Sequence, residues 1–200
     1  IKPERVEFIH LIALVLIAVA SWLDAHTTVL SRPEQFYLSQ ALIGVASGIF
    51  LPPALLNGFM KALARGPQYI LSFLAVFLTT QSLGGLLGSA VFSTFVALRE
   101  QAHSNFLTQG ITLLDPVVVQ RIQAYGGAYG RVLTDPNQRN TQGLTLLSQS
   151  LTQQSWVLAY NDLFLLIFYG SLAAAAALLL HLGLRALSSA RAPASAAPAA

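Results

Sequence analysis

The chain has 200 residues, of which 54% are hydrophobic and only 10% are charged, and its mean hydropathy is +0.61. Because a soluble globular domain carries roughly 25% charged residues, this composition excludes an ordinary water-soluble fold. The net charge of +3 is small and arises from basic residues beside apolar segments, so it does not indicate a nucleic-acid partner.

Four apolar segments are long enough to cross the hydrocarbon core of a bilayer, which requires about 20 mostly apolar residues. They cover about 8–23, 36–60, 69–98 and 163–187, and the apolar part of the last segment ends near Leu184. A charge at mid-bilayer costs about 2.5 to 3.5 kcal/mol, so charge-free stretches of this length mark membrane spans. The sequence therefore predicts an all-α integral membrane protein with four transmembrane helices.

The segment 99–162 is too polar for the bilayer and is predicted to be a long extracytoplasmic loop. Apolar residues recur at helical spacing after Asp115-Pro116 and again within 144–158, which predicts two short amphipathic helices in this loop. Turn-forming residues at Gly126-Gly127 and at 134–137 are predicted to separate the two helices.

The two ends of the last apolar segment have different predicted roles. Asp162, next to Asn161, is predicted to cap the last transmembrane helix, because an Asp before a helix accepts hydrogen bonds from unpaired backbone N–H groups. Residues 188–200 are rich in Ala, Pro and Ser and have no apolar periodicity. They are predicted to form a disordered cytoplasmic tail.

The basic residues that flank the spans predict the orientation of the chain. They form three groups on one side of the four-span topology: Lys2 and Arg5, Lys61 and Arg65, and Arg185 and Arg191. Short cytoplasmic loops carry an excess of Lys and Arg, whereas a long loop crosses the membrane largely regardless of its charge. Both ends of the chain are therefore predicted to be cytoplasmic.

Polar residues and prolines in the spans are the candidates for a transport path or gate: Gln40, Pro52, Pro53, Asn57 and Gln81. Each proline removes a backbone donor from its helix, and interrupted helices often lie beside the cavity of a transporter. The alternative for the proline pair is a kinked packing helix that binds no ligand. The alternative for each amide is a hydrogen bond between helices, worth about 0.6 kcal/mol.

Glycines in the second and third spans are predicted to let another helix approach closely, because they lack side-chain bulk. These helix-packing candidates are Gly44, Gly48, Gly84, Gly85 and Gly88, and ligand contact is the alternative role.

The sequence shows no enzymatic constellation. It has no nucleophile motif, no phosphate-binding glycine loop and no metal-ligand spacing, and zero cysteines exclude disulfides and thiolate sites. We therefore predict no catalytic residue, metal or cofactor. The middles of the spans also lack Asp and Glu, the usual intramembrane proton carriers. Glu100 and His103 lie one helical turn apart at the outer edge of the third span, where a solvated cap is favoured over a proton relay.

Several motifs follow one another in a distinctive order. They are 40–45 (QALIGV) with 50–53 (FLPP), a glycine-rich third span that ends at 98–100 (LRE) with His103, and 160–164 (YNDLF) after the long loop. Over about residues 5–187, this order resembles the C-terminal end of the fourteen-helix drug:proton antiporters of the major facilitator superfamily.

The resemblance implies the last four helices of a major facilitator fold, with a loop outside the cytoplasm between the final two. Because the chain begins at Ile1 without an initiator Met, it is read as a piece of a longer protein. The family's acidic coupling residues and antiporter motif lie in its first half and have no counterpart in this chain.

The function that the resemblance implies is proton-coupled secondary active export of amphipathic or aromatic organic compounds, of the multidrug efflux type, in the bacterial inner membrane. The implied partners are the lipid bilayer, the remaining helices of the full-length transporter and a small organic substrate. The alternative is a non-transporting membrane subunit or sensor whose long loop binds an extracytoplasmic partner.

Resembling exporters pass substrate to a periplasmic adaptor protein, for which the loop offers a docking face. The docking candidates are Tyr125, Tyr129 and Arg131, because Tyr and Arg are favoured at interface centres. The alternative is that the two loop helices pack on each other as a small cap.

Overall fold

The computed structural model describes residues 3–112 and 114–191, and within these ranges it describes the side chains of 6–112 and 114–188. All regular secondary structure in these ranges is helical. The helices are α1 (Pro3–Asp24), α2 (Tyr37–Arg65), α3 (Gln68–Gln109), α4 (Pro116–Gly127) and α5 (Pro136–Arg191), and a 3-10 turn at Pro33–Phe36 precedes α2.

Four stretches are long and apolar enough to cross a membrane: Val6–Asp24, Pro33–Arg65, Gln68–Gln109 and Pro136–Ser188. The prediction of an all-α chain with four membrane-length helices is confirmed. At a rise of about 1.5 Å per residue, about 20 residues cross the hydrocarbon core. α3 has 42 residues and α5 has 56 residues, so a span needs only part of each helix.

Proline, glycine and aspartate residues set several of the helix ends. α2 ends before Gly66, whose φ of 134° favours glycine and whose N–H donates to the Leu63 carbonyl. α4 begins at the predicted Asp115-Pro116 pair, where the Asp115 carboxylate accepts a hydrogen bond from the Val117 N–H at 2.8 Å. The same device begins α5, because Asp135 accepts from the Asn137 N–H at 2.9 Å.

The predicted second amphipathic helix and the predicted last transmembrane helix form one continuous helix, α5. The expected helix boundary at residue 162 is absent because no Pro or Gly interrupts the chain between Gly143 and Gly170. α5 also continues through 188–191, the first residues of the predicted disordered tail. The rest of that tail, 192–200, lies outside the described residues.

The chain divides into two compact units. Within the described residues, the first unit contains α1 through Leu23, the segment Phe36–Gln81, and α5 from Leu165 onward. Its buried residues are mostly small, including Ala13, Ala20 and Ala46, each with 0% of its surface exposed. Small side chains let helix backbones approach closely, so this unit packs in the manner of membrane helices.

The second unit contains Asp24–Gln35, the part of α3 from Ser82, α4, and α5 through Phe164. α4 crosses α5 at two glycines, and backbone rather than side chain fills the space beside each of them. A Cβ added at Gly126 would overlap the carbonyl oxygen of Arg139, and one added at Gly143 would overlap that of Ile122. Ile122 and Leu147 are buried in this unit.

Most apolar surface of the four long helices is not covered by the described chain. In the most apolar part of each helix, the share of residues that are buried is 28% for α1, 6% for the α2 stretch, 0% for α3 and 11% for α5. Large apolar side chains exposed to this extent require an apolar surrounding, which lipid tails or further helices supply.

Candidate functional site

The proline pair lies inside α2 and does not end the helix. Pro52 and Pro53 have no N–H, so the carbonyls of Gly48 and Ile49 lack their usual intrahelical donors. The next carbonyl, that of Phe50, lies 3.1 Å from Nε2 of His10 on α1. A carbonyl oxygen only accepts, so Nε2 carries the proton and donates to it. His10 of α1 therefore contacts the α2 backbone one residue beyond the two carbonyls that lack their usual donors.

The His10 ring also packs on the side chain of Phe50. The two ring centroids are 4.6 Å apart, with the planes tilted by 48°. His10 thus fixes α1 against α2 immediately before the proline pair, through one hydrogen bond and one aromatic contact. The histidine near the start of the first span acts as a packed residue of the first unit.

A cleft of about 640 Å³ opens in the first unit between α1, α2 and the end of α5. It is lined by Val6, Pro53, Leu56, Asn57, Met60, Lys61 and Arg185. Two of the five transport-path candidates, Pro53 and Asn57, therefore lie on one cleft. Its volume is within the range of about 300 to 1,000 Å³ that is typical of small-molecule sites.

An ion pair borders this cleft. Nη1 of Arg185 donates to Oε1 of Glu7 at 2.9 Å, and this contact joins the end of α5 to the start of α1. The second carboxylate oxygen, Oε2, is buried and has no hydrogen-bond partner among the described residues. The Arg185 side chain is 55% exposed, and no second ion pair of its guanidinium occurs among the described residues.

The second unit contains a separate polar cluster centred on Asp162. Oδ2 of Asp162 accepts a hydrogen bond from Nε of Arg99 at 2.6 Å and lies 2.6 Å from Nε2 of His103. The side chains of Asp162 and His103 are 25% and 21% exposed, so water screens this cluster only in part. One carboxylate therefore links α5 to two successive turns of α3.

Neighbouring polar residues extend the contacts in the second unit. Ser155 of α5 donates to Oε1 of Glu100 at 2.9 Å. Asn161 accepts from the Thr27 hydroxyl at 2.7 Å and donates to the Thr27 carbonyl at 2.8 Å. Asp24 is 2% exposed, and its Oδ2 has no hydrogen-bond partner in the described part of the chain.

These contacts correct two interpretations of the sequence. Asp162 is not a helix cap, because it lies in the interior of α5, where the backbone N–H groups already have helical partners. Glu100 and His103, for which a solvated cap was favoured, instead contact side chains of α5: Glu100 accepts from Ser155, and His103 lies 2.6 Å from Asp162. In both corrections, the observed partner is a side chain on the other helix of the α3–α5 pair.

The other predicted site residues are dispersed. Gln40 and Gln81 are exposed and do not line the cleft. The five packing glycines, Gly44, Gly48, Gly84, Gly85 and Gly88, have no atom of another element of the described chain within 4 Å of an added Cβ. Their predicted role would require a helix beyond those described. Tyr129 and Arg131 are exposed on the turn after α4, and Tyr125 is half-buried in α4.

Sequence reasoning missed Glu7 as part of a site and assigned Lys61 and Arg185 only to membrane topology. One signal was available in the sequence. Basic residues cluster at three helix ends, and an even number of spans places these three ends on one side of the membrane. Asp24 directly follows the first predicted span, and its burial depends on contacts that the sequence does not display.

The fold and these sites define a helical protein whose four longest helices can each cross a membrane. Comparison with protein-family models, with curated proteins and with solved structures finds no match for this chain.

Proposed function

We propose that this chain forms the C-terminal part of a proton-coupled secondary active exporter of amphipathic or aromatic organic compounds. In this proposal the four long helices cross the bacterial inner membrane, and two helix bundles rock about a central cavity to give alternating access. The proposal rests on the motif resemblance and on one structural observation.

That observation is the disturbed backbone of α2 at Pro52-Pro53. A transporter needs helices that bend between two states, and a proline pair lowers the cost of bending because two intrahelical hydrogen bonds are already missing. His10 supports this point from α1 through the Phe50 carbonyl. The cleft lined by Pro53 and Asn57 begins directly beyond it along the helix. A flexible point beside a cleft is the arrangement that alternating access requires.

The proposed orientation places both ends of the chain in the cytoplasm. The contact between Glu7 and Arg185 supports a shared side for the start of α1 and the end of α5. The contact between Thr27 and Asn161 supports a shared side for the segment after α1 and the middle of α5. Basic residues at Lys61 and Arg185 assign the first of these sides to the cytoplasm.

The orientation predicts unequal labelling of two exposed serines on α5, Ser148 and Ser188. After replacement by Cys in the cysteine-free protein, an impermeant thiol reagent outside sealed cells should label position 148 and not position 188. Permeabilised cells provide the control, because both positions should then react. Equal labelling in sealed cells would contradict the topology.

The proposed flexibility of α2 predicts a transport defect when both prolines are replaced. Pro52→Ala/Pro53→Ala in the full-length protein restores two backbone donors and stabilises a straight helix. An interior proline costs a helix about 3 kcal/mol, so we expect the bent state to be depopulated and export to fall by about tenfold or more. The measurement is substrate efflux from proteoliposomes at matched protein content.

The matched control is Pro116→Ala, which removes a proline at the first turn of α4, where no helical hydrogen bond is lost. Export should be unchanged.

Gln81→Leu is a second variant that should alter the preference among substrates without reducing membrane insertion. Wild-type export of every compound by both the proline and the Gln81 variants would show that these residues serve packing alone.

A further inference from the structure

We infer that the cleft in the first unit binds the headgroup of an anionic phospholipid, with Lys61 and Arg185 as the phosphate-binding residues. The inference uses the proposed membrane insertion of the helices but does not depend on transport. It starts from the distribution of apolar and cationic groups along α2. The cleft begins with apolar groups and ends with cationic ones, and this order matches a phospholipid from its chains to its phosphate.

Apolar side chains line one end of the cleft. Pro53 and Leu56 of α2 form this end, and Met60 of α2 and Val6 of α1 continue the apolar lining up to the cationic groups. Leu56 is 44% exposed and Met60 is 55% exposed, so the cleft leaves apolar surface that a lipid chain would cover. Asn57 adds one amide to this otherwise apolar lining.

Cationic groups line the other end. Lys61 lies about 12 Å along the helix from Pro53, at about 1.5 Å per residue, and Arg185 of α5 lines the same cleft. Lys61 is exposed, and it forms no ion pair with any described residue. The apolar end therefore faces toward the middle of α2, and the cationic end lies near its terminus. A phospholipid has this order of polarity from its chains to its phosphate.

Glu7 orients Arg185 without neutralising the cleft. The carboxylate contacts Nη1 of Arg185, and the guanidinium has no second side-chain partner among the described residues, so its other N–H groups can donate to phosphate oxygens. With Lys61 included, the three groups carry a net charge of one positive unit, which favours an anionic headgroup over a zwitterionic one. Basic pockets between membrane helices on the cytoplasmic side commonly bind anionic headgroups.

The test uses the purified full-length protein in nanodiscs that contain phosphatidylcholine with a minority of phosphatidylglycerol. Native mass spectrometry should show phosphatidylglycerol retained in preference to phosphatidylcholine. We expect a basic residue that contacts the bound headgroup to contribute about 1 kcal/mol, as is typical of basic residues beside anionic lipid, so Lys61→Gln should lower retention about fivefold. Lys61→Gln/Arg185→Gln should lower it further.

Arg65→Gln is the matched control, because Arg65 is exposed in the last turn of α2 and does not line the cleft. It should retain phosphatidylglycerol like the wild type. Lys61→Gln alone keeps the ion pair between Glu7 and Arg185, and an unchanged thermal unfolding temperature should verify its fold. If the double variant unfolds, the comparison between Lys61→Gln and Arg65→Gln decides the result.

Three outcomes would overturn the assignment. The first is equal retention of phosphatidylglycerol by Lys61→Gln and Arg65→Gln. The second is displacement of the lipid by inorganic phosphate, which would identify a soluble anion as the ligand. The third is displacement by an exported compound, which would make the cleft a substrate pocket. Failure of export in the proline variants would leave the lipid measurement unaffected, so the two proposals fail independently.

Discussion

Replacing Gly143 by Ala should detach α4 from α5 and cost about 3 kcal/mol, the upper part of the range for overpacked sites. An added Cβ would overlap the Ile122 carbonyl oxygen and lie 3.1 Å from the Gly126 nitrogen. Both obstacles are backbone atoms, so no rotamer change relieves them. α4 has only 12 residues, and a helix of this length is marginal in water without its packing partner.

Hydrogen exchange at the α4 amides measures this effect in the full-length protein. A loss of about 3 kcal/mol corresponds to a fall in protection of about a hundredfold. Gly127→Ala is the control, because it makes the same change at the end of α4, where nothing lies within 4 Å. Equal protection of α4 in the two variants would show that the helices do not meet closely at Gly143.

Replacing Asp162 by Ala should destabilise the second unit by about 1 to 3 kcal/mol, because it removes one acceptor from two donors at once. Arg99 and His103 both contact the same oxygen, Oδ2. The loss should be smaller than the 3 to 5 kcal/mol that is typical of a broken buried ion pair, since Asp162 is 25% exposed and water reaches the site.

Thermal unfolding of the detergent-solubilised protein should show this loss. Asp162→Asn keeps one acceptor oxygen without the charge, so its loss should lie between those of the wild type and Asp162→Ala. Glu34→Ala in the exposed 3-10 turn is the control for removing a carboxylate that is not buried. An unfolding temperature for Asp162→Ala that matches Glu34→Ala would contradict a stabilising role for the cluster.

Local sequence signals were sufficient at several positions and failed at one important boundary. The Asp115-Pro116 pair predicted the start of α4, because the capping carboxylate and the fixed proline φ act within one helical turn. A helix boundary was predicted at Asp162 because this residue has the chemistry of a cap, but α5 runs through it without a break. Here its carboxylate instead pairs with Arg99, 63 residues away in the chain.

The candidate sites were predicted only in part. Pro53 and Asn57 were selected for their chemistry and do share one cleft, whereas the cationic residues beside them were read as topology signals. The contribution of His10 could not be foreseen, because it depends on the meeting of α1 with the Phe50 carbonyl 40 residues later. The sequence around a histidine near a span end does not indicate which group the histidine will contact.

The sequence by itself determined the helical class and the four apolar helices. Hydropathy and length decide these features, because a backbone in lipid must satisfy its own hydrogen bonds within each helix. Only the tertiary structure decided that α4 rests on Gly143 and that Asp162 joins Arg99 and His103. These features depend on close approach between residues far apart in the chain, and composition and periodicity do not encode which of many polar or small residues will meet.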